Sequence, residues 1–447
     1  MEYNTLEALS NHPFINSWVG YSILIIFCIA YVLVILEEKI HLRKSKPVIL
    51  AASLIWVLIG ITYLRRGEAH LVEIAIEETF IEYAELFFFL LVAMTYINAM
   101  IDRGIFNHMR QWMVSKGFSY RQLFWLTGLA AFFISPMADN LTTALIMCSV
   151  VLAVGDQNRA FISLSCISIV VAANAGGAFS PFGDITTLMV WQQNILSFWE
   201  FFALFFPALI SYVALAFFMQ FFVPKITLQT TAQREQLLKP GAIAVVVLFL
   251  LTIATAVSFH QFIHLPPVFG MITGLAYLKV FSYFAYLQRR RQIKSNIAPT
   301  NLLLPESVFD HISKSEWDTL FFFYGIIMAV GGLGFLGYLE ITSEFLYGEL
   351  DHTLANVLIG ILSSVIDNIP VMYAVLTMRP EMTDYQWLLA TFTVGVGGSL
   401  LSIGSAAGVA LMGQARGQYT FFTHLKWTPA IAVTTALGIY AHYLISG

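Results

Sequence analysis

Three aspartates sit where the chain offers them little water. Ile134-Ser-Pro-Met-Ala-Asp-Asn-Leu-Thr-Thr-Ala-Leu-Ile146 places Asp139, Asn140, Thr142 and Thr143 in the middle of an apolar stretch. Ser363-Ser-Val-Ile-Asp-Asn-Ile-Pro370 does the same for Asp367 and Asn368, and Asn174-Ala-Gly-Gly-Ala-Phe-Ser-Pro-Phe-Gly-Asp-Ile-Thr-Thr187 for Asp184. A carboxylate in such a setting costs several kcal/mol unless it is paired, protonated or holding a cation. A fourth motif, Gly395-Val-Gly-Gly-Ser-Leu-Leu-Ser-Ile-Gly-Ser-Ala-Ala-Gly408, puts Ser405 where the third has Asp184, and none of the four contains Lys or Arg. Three carboxylates meeting without a resident counter-ion make a cation site, and like charges that close favour a retained proton on one of them. One group can then hold either a proton or a metal ion, which is exchange by competition. A lysine or arginine neutralising the three would undo this case.

The elements that must position these groups are membrane spans. The chain has 447 residues, 58% hydrophobic and only 11% charged, against about 25% charged in an average soluble domain. That excludes a nucleic-acid binder, a soluble enzyme and a disulfide-stapled secreted domain, and makes the lipid bilayer the first partner. Spans of about 18 or more apolar residues fall at 18–36, 47–64, 84–101, 160–195, 201–223, 241–259, 266–284, 317–338, 386–412 and 427–445. Segments 122–152 and 354–378 are interrupted at mid-length and read as hairpins that enter and return. Pro136 and Pro370 stop their helices by removing a donor and clashing with the preceding turn. Within 160–195, three glycines, Ser180 and Pro181 argue for two half-helices joined by an unwound stretch, whose bare carbonyls can ligate a hard cation. The stretch within 386–412 repeats those breaks. Irregular backbone at membrane depth is tolerated only in protein or beside a water-filled cavity.

Nineteen of the 23 Lys and Arg residues fall in six loops that face the same way if both hairpins return. By the positive-inside rule that side is the cytoplasm, so both termini are external. The opposite loops carry Glu73, Glu77, Glu78 and Glu82, then Glu340, Glu344, Glu349 and Asp351. The first residues, with Glu2 and Glu7 and no basic residue before Ser17, do not read as a cleavable signal. Cys28, Cys148 and Cys166 lack metal spacing and read as small buried hydrophobes. Glu78, Glu82 and Glu85 share a helical face, either an external cation funnel or a solvated surface, with Glu85 deepest.

The chain also repeats itself. Leu86-Phe-Phe-Phe89 returns as Leu320-Phe-Phe-Phe323, Ser135-x-x-x-Asp139-Asn140 as Ser363-x-x-x-Asp367-Asn368, and Gly176-Gly177-x5-Gly183-Asp184 as Gly397-Gly398-x5-Gly404-Ser405. The order is kept and the separation is nearly constant. The orientation of the spans makes 1–223 and 224–447 inverted repeats, each with five spans and one hairpin. The fold expected is an all-α polytopic membrane protein of about ten transmembrane helices plus two re-entrant hairpins, with two discontinuous helices. That plan points to a secondary transporter with its site at the midplane.

At these residues the chain resembles the NhaD-type sodium/proton antiporters of the ion transporter superfamily. The matching stretches are Phe88–Tyr96, Ser135–Ala144, Asn174–Thr187, Ile366–Pro370 and Gly397–Gly413. The resemblance implies efflux of cytoplasmic sodium or lithium driven by incoming protons, stronger at alkaline pH and serving pH homeostasis. It implies a bacterial cytoplasmic (inner) membrane location, no cofactor, and a homodimer with a scaffold part and a moving transport part. Carried over, Asp139, Asp184 and Asp367 are the essential carboxylates and the sodium or lithium ligands, with Asn140, Thr142, Asn174, Asn368, Ser402 and Ser405 as polar partners. The local reading adds Thr143 and Ser180 to the ligands, and Ser135, Ser363 and Glu85 as accessory residues. The aromatic setting Phe179-Ser180-Pro181-Phe182 departs mildly from the family and bears on pore width.

Two rivals stand beside this reading. A sodium-coupled anion or dicarboxylate carrier of the same superfamily would favour Ser-Asn-Thr at the hairpin tips, where this chain has Asp-Asn. A carboxylate at the docking point disfavours an anion. An intramembrane aspartyl protease also uses two buried aspartates, but looks for Gly-x-Gly-Asp and Tyr-Asp pairs, which are missing here.

Overall fold

Most apolar segments fold as single helices, lone glycines included, whereas the four polar motifs fall where helices stop and restart. The computed structural model describes residues 14–40, 42–155, 158–226, 238–294 and 307–446. The reading of the N-terminal residues as uncleaved, the basic Arg234 and the C-terminal Gly447 lie outside the described residues. The described residues are helical, without a β-strand. Among them, nine helices are long and apolar enough to cross a membrane: Trp18–Ile35, Ser45–Arg66, Ala69–Asp102, Arg159–Gly177, Glu200–Phe222, Ala242–Ile263, Pro267–Gln288, Trp317–Phe335 and Thr428–Ser446. The protein is a polytopic helical membrane protein. Its exposed side chains include Trp18, Leu50, Val57, Phe217 and Phe221, as suits lipid-facing surface.

One expectation needs correction. The acidic stretch Glu73–Glu82 is not a loop, because the helix runs unbroken over the 34 residues Ala69–Asp102. No Gly or Pro interrupts that sequence, so nothing stops the helix at the hydrocarbon boundary. At about 1.5 Å per residue it reaches about 51 Å, well beyond the bilayer core of about 30 Å. Cys28 is also exposed, while Cys148 and Cys166 are buried.

The chain folds as two compact units that do not follow the sequence halves. The smaller comprises the described parts of 81–112 and 232–320. Its helices Ala242–Ile263 and Pro267–Lys294 lie against each other. Tyr96 donates to the Gly274 carbonyl at 2.7 Å and accepts from Thr252 at 3.0 Å, which satisfies a buried phenol. Glu85 belongs to this unit and is half-buried.

The larger unit comprises the described parts of 1–80, 113–231 and 321–447, and it holds the three aspartates and their candidate polar partners. The first hairpin has arms Tyr120–Ala138 and Asn140–Gly155. The Ser119 hydroxyl and the Gln122 side chain open it as a reciprocal cap. The second hairpin has arms His352–Ser363 and Asn368–Met378. Each packs on a broken helix, the first with halves Arg159–Gly177 and Ile185–Gln192, the second with halves Asp384–Gly397 and Ala406–Gln414.

In both pairs the hairpin is held to its broken helix by matching contacts. A Cβ on Gly176 would strike the Phe132 carbonyl, and one on Gly397 the Gly360 carbonyl, so only glycine permits these backbone approaches. Gly183 backs onto Pro136 and Gly404 onto Ser364 in the same fashion. The Ser135 hydroxyl donates to the Ala173 carbonyl at 2.6 Å, and the Ser363 hydroxyl to the Val394 carbonyl at 2.8 Å. The carbonyls freed by unwinding find side-chain donors. Thr187 reaches Ser180 at 2.8 Å, Thr428 reaches Leu400 at 2.7 Å, and the buried His424 ring pairs with Ser399 at 2.8 Å. Such bonds let irregular backbone persist among apolar helices.

Candidate functional site

Unwinding before Ile185 leaves Asp184 as the N-cap of the short half-helix Ile185–Gln192, where its Oδ1 accepts the Thr186 N–H at 3.0 Å. The side chain is 4% exposed. Both hairpin tips reach it. Asn140 Nδ2 donates to Asp184 Oδ2 at 3.1 Å and to Asn174 Oδ1 at 3.1 Å. Asn368 Nδ2 donates to Asp184 Oδ2 at 3.2 Å and Oδ1 at 3.4 Å. The second broken helix completes the surround, since a Cβ on Gly395 would stand 3.9 Å from Asp184 Oδ2 and 3.7 Å from Thr186 Oγ1. One buried carboxylate therefore gathers both tips and both broken helices, with neutral amides as its side-chain partners. The ion pairs Lys44–Asp367 and Lys239–Asp102 both leave Asp184 aside.

The other two aspartates are placed differently. Asp139 forms the corner of the first hairpin with φ +54°, a backbone setting that costs about 1–3 kcal/mol for a residue other than glycine. Its carboxylate turns onto its own helix. The Thr142 N–H donates to Oδ1 at 2.8 Å and the Thr142 hydroxyl to Oδ2 at 2.8 Å. Asp367 also precedes a helix, yet makes no side-chain cap bond there. Its Oδ2 lies 3.1 Å from the Lys44 ammonium, and its Oδ1 is buried without a hydrogen-bond partner.

This corrects the expectation of three carboxylates free of any basic neighbour. Lys44 neutralises one of them. It stands in a short basic stretch between two apolar spans, and no local motif links it to a carboxylate 323 positions away. Among the described residues no three His, Cys, Asp or Glu side chains form a metal-holding group. In this arrangement Thr142 donates to Asp139 and Lys44 pairs with Asp367.

The remaining candidates divide into committed and spare groups. Ser180 donates to the Pro136 carbonyl at 3.0 Å, Ser402 contacts Met412 Sδ at 3.3 Å, and Ser405 caps its half-helix through the Gly408 N–H at 3.3 Å. Ser135 and Ser363 brace the hairpins, as described. Thr143 Oγ1 and Asn174 Nδ2 are buried without hydrogen-bond partners, which is costly for polar groups and marks them as available to a visitor. Sequence reasoning missed Lys44 and Gly395. A charge at a span end and a glycine two residues before Gly397 were visible, but not the carboxylates they approach.

The chain matches the family model described as Citrate transporter over residues 31–395. It is 56% identical over 445 residues to the Na(+)/H(+) antiporter NhaD of Vibrio cholerae serotype O1, covering 97% of this chain and 93% of that one. The antiporter NhaD of Alkalimonas amylolytica is 56% identical over 440 residues, covering 96% and 91%. The chain belongs to the NhaD-type sodium/proton antiporters. An NhaD-type protein is a transporter and not an enzyme, so the protease reading falls. Among solved structures, the YdaH transporter of Alcanivorax borkumensis aligns with a TM-score of 0.45 at 14% identity, covering 85% of this chain and 88% of that one.

Proposed function

We propose that this protein exchanges sodium or lithium for protons across a bilayer, with Asp184 as the carboxylate that holds one or the other. The observation carrying this is Asp184 itself: buried, bonded by Asn140 and Asn368 from the two tips, and outside the ion pairs of the described residues. An amide suits both occupants. Its N–H satisfies the bare carboxylate, and half a turn about Cβ–Cγ offers Oδ1 to a hard cation. A proton on Asp184 cancels the charge the cation needs, so each excludes the other. Asp139, Asp367, Thr142, Thr143 and Asn174 stand close in sequence or contact to this centre, as second-line ligands. The matching hairpin contacts of the two halves support an origin in two inverted repeats and alternating access around Asp184.

The direction follows from the charge bias and the family: cytoplasmic sodium leaves, protons enter, both termini face outward, and the membrane is the bacterial inner one. A homodimer serving pH homeostasis completes the reading. The test is proton movement in everted vesicles on addition of sodium, lithium, potassium or citrate. Sodium or lithium should collapse a preformed pH gradient; silence with both would end the proposal. A reporter appended after Gly447 should react from the external face, and strict cytoplasmic reactivity would reverse the topology.

A second reading, the sodium-coupled anion carrier, is favoured by the description of the matched family model. The Lys44 charge could serve an anion only if Asp367 released it. In the vesicle assay, citrate uptake dependent on sodium would select this reading.

A further inference from the structure

The two tips carry the same Asp-Asn pair, yet Asp367 turns outward to a lysine from a distant helix. We infer that Lys44 is a built-in competitor for Asp367, a tethered cation whose displacement sets how tightly the protein takes up its mobile one. This rests on the exchange reading above and adds to it a residue that tunes cation affinity.

The reason begins with Pro370. In the first tip, the residue three after Asp139 is Thr142, whose N–H and hydroxyl both donate to the carboxylate. In the second tip the equivalent residue three after Asp367 is Pro370, which has no N–H to give. Asp367 is thus a helix-capping aspartate without its cap, and its charge is left for something else. Lys44 meets it at 3.1 Å, with side chains only 17% and 13% exposed. The lysine is held at both ends: its backbone N–H donates to Glu37 Oε1 at 3.3 Å, and its ammonium also stands 4.2 Å from the centre of the Phe322 ring. The ring gives the ammonium a second favourable seat if Asp367 lets go. Meanwhile Asp367 Oδ1, buried and unpartnered, is a ready oxygen ligand beside Asn368, which already bonds Asp184. A cation approaching Asp184 therefore meets, one residue along the same tip, a carboxylate occupied by a competitor that cannot diffuse away.

The experiment compares Lys44→Gln and Lys44→Arg in everted vesicles, measuring the sodium and lithium KM separately from the maximal rate at matched protein levels. Removing a partly exposed ion-pair partner should lower the KM of the Gln variant by about fivefold, while Arg, still a cation, should keep it within about twofold of the unaltered protein. An unchanged or raised KM in Lys44→Gln would overturn the inference. Should the Gln variant not reach the membrane, the unaltered protein decides. Amine-reactive labelling of Lys44, read by peptide mass spectrometry, should rise with sodium or lithium and not with choline at equal ionic strength; labelling indifferent to sodium overturns it. If the unaltered protein moves no protons with sodium, the exchange reading itself has failed, which is a separate result.

Discussion

The tips of the two hairpins start from the same two residues and reach different electrostatic ends. In the first, Asp139 accepts a strained backbone, φ +54°, and closes onto Thr142. In the second, Asp367 has φ −43° and pairs with Lys44. The neighbouring asparagines nevertheless do the same thing, since Asn140 and Asn368 both reach Asp184. The difference teaches that the shared feature of the tips is the amide and the divergent one is the acid. One tip spends its carboxylate on its own geometry, and the other keeps it exchangeable.

Five substitutions, one of them combined with Lys44→Gln, would break or sharpen that contrast. Asp184→Asn removes the charge on which both amides converge, and exchange should fall by about a hundredfold or more with the protein still inserted, because a cation in low dielectric loses its carboxylate ligand; sodium-driven pH change in vesicles measures it. Asn140→Ala and Asn368→Ala should each raise the sodium KM by about tenfold, the scale of a lost hydrogen bond to a charged group. A large gap between the two would mean that the tips are not equivalent at Asp184. Pro370→Thr would give Asp367 the cap donor it lacks. In that background Lys44→Gln should move the KM by less than about twofold, since Lys44 would then compete with a local bond. The smallest effect belongs to Gly395→Ala, whose new methyl would meet Asp184 Oδ2 and Thr186 Oγ1 at ordinary contact distance. A KM change of about two- to threefold, with a melting temperature within a few degrees, is expected from so mild a contact.

Much of this was legible beforehand. Eight of the ten expected spans carry a helix long and apolar enough to cross and the other two, 160–195 and 386–412, are helical on either side of a break, because about 20 apolar residues in lipid have few other ways to satisfy their backbone. That these segments are interrupted was legible, but not where: Pro136 lies inside the helix Tyr120–Ala138 and Pro370 inside Asn368–Met378, so the hairpins turn at Asp139 and at 364–367 and not at these prolines. Asp184 was named from its type and place, and Asn140 and Asn368 as its polar partners from the family resemblance. The length of the helix Ala69–Asp102 was not, because hydropathy marks where lipid is tolerated and not where a helix must end. Nor was the fate of the outer two acids. A carboxylate beside Thr142 or beside Pro370 looks the same in a count of charges, and the donor each one meets depends on backbone direction.

What the amino-acid order decided by itself is the medium, the helices, their breaks and which residues are candidates, since all of these follow from local hydropathy and from what Pro and Gly do to a helix. What only the tertiary structure decided is which candidates share a site. Hydrogen bonds and ion pairs are made over about 3 Å, while Lys44 and Asp367 are 323 positions apart and Asn368 and Asp184 are 184 apart. Contacts that short between residues that distant are fixed by packing, and packing gave Asp184 two amides and Asp367 a lysine.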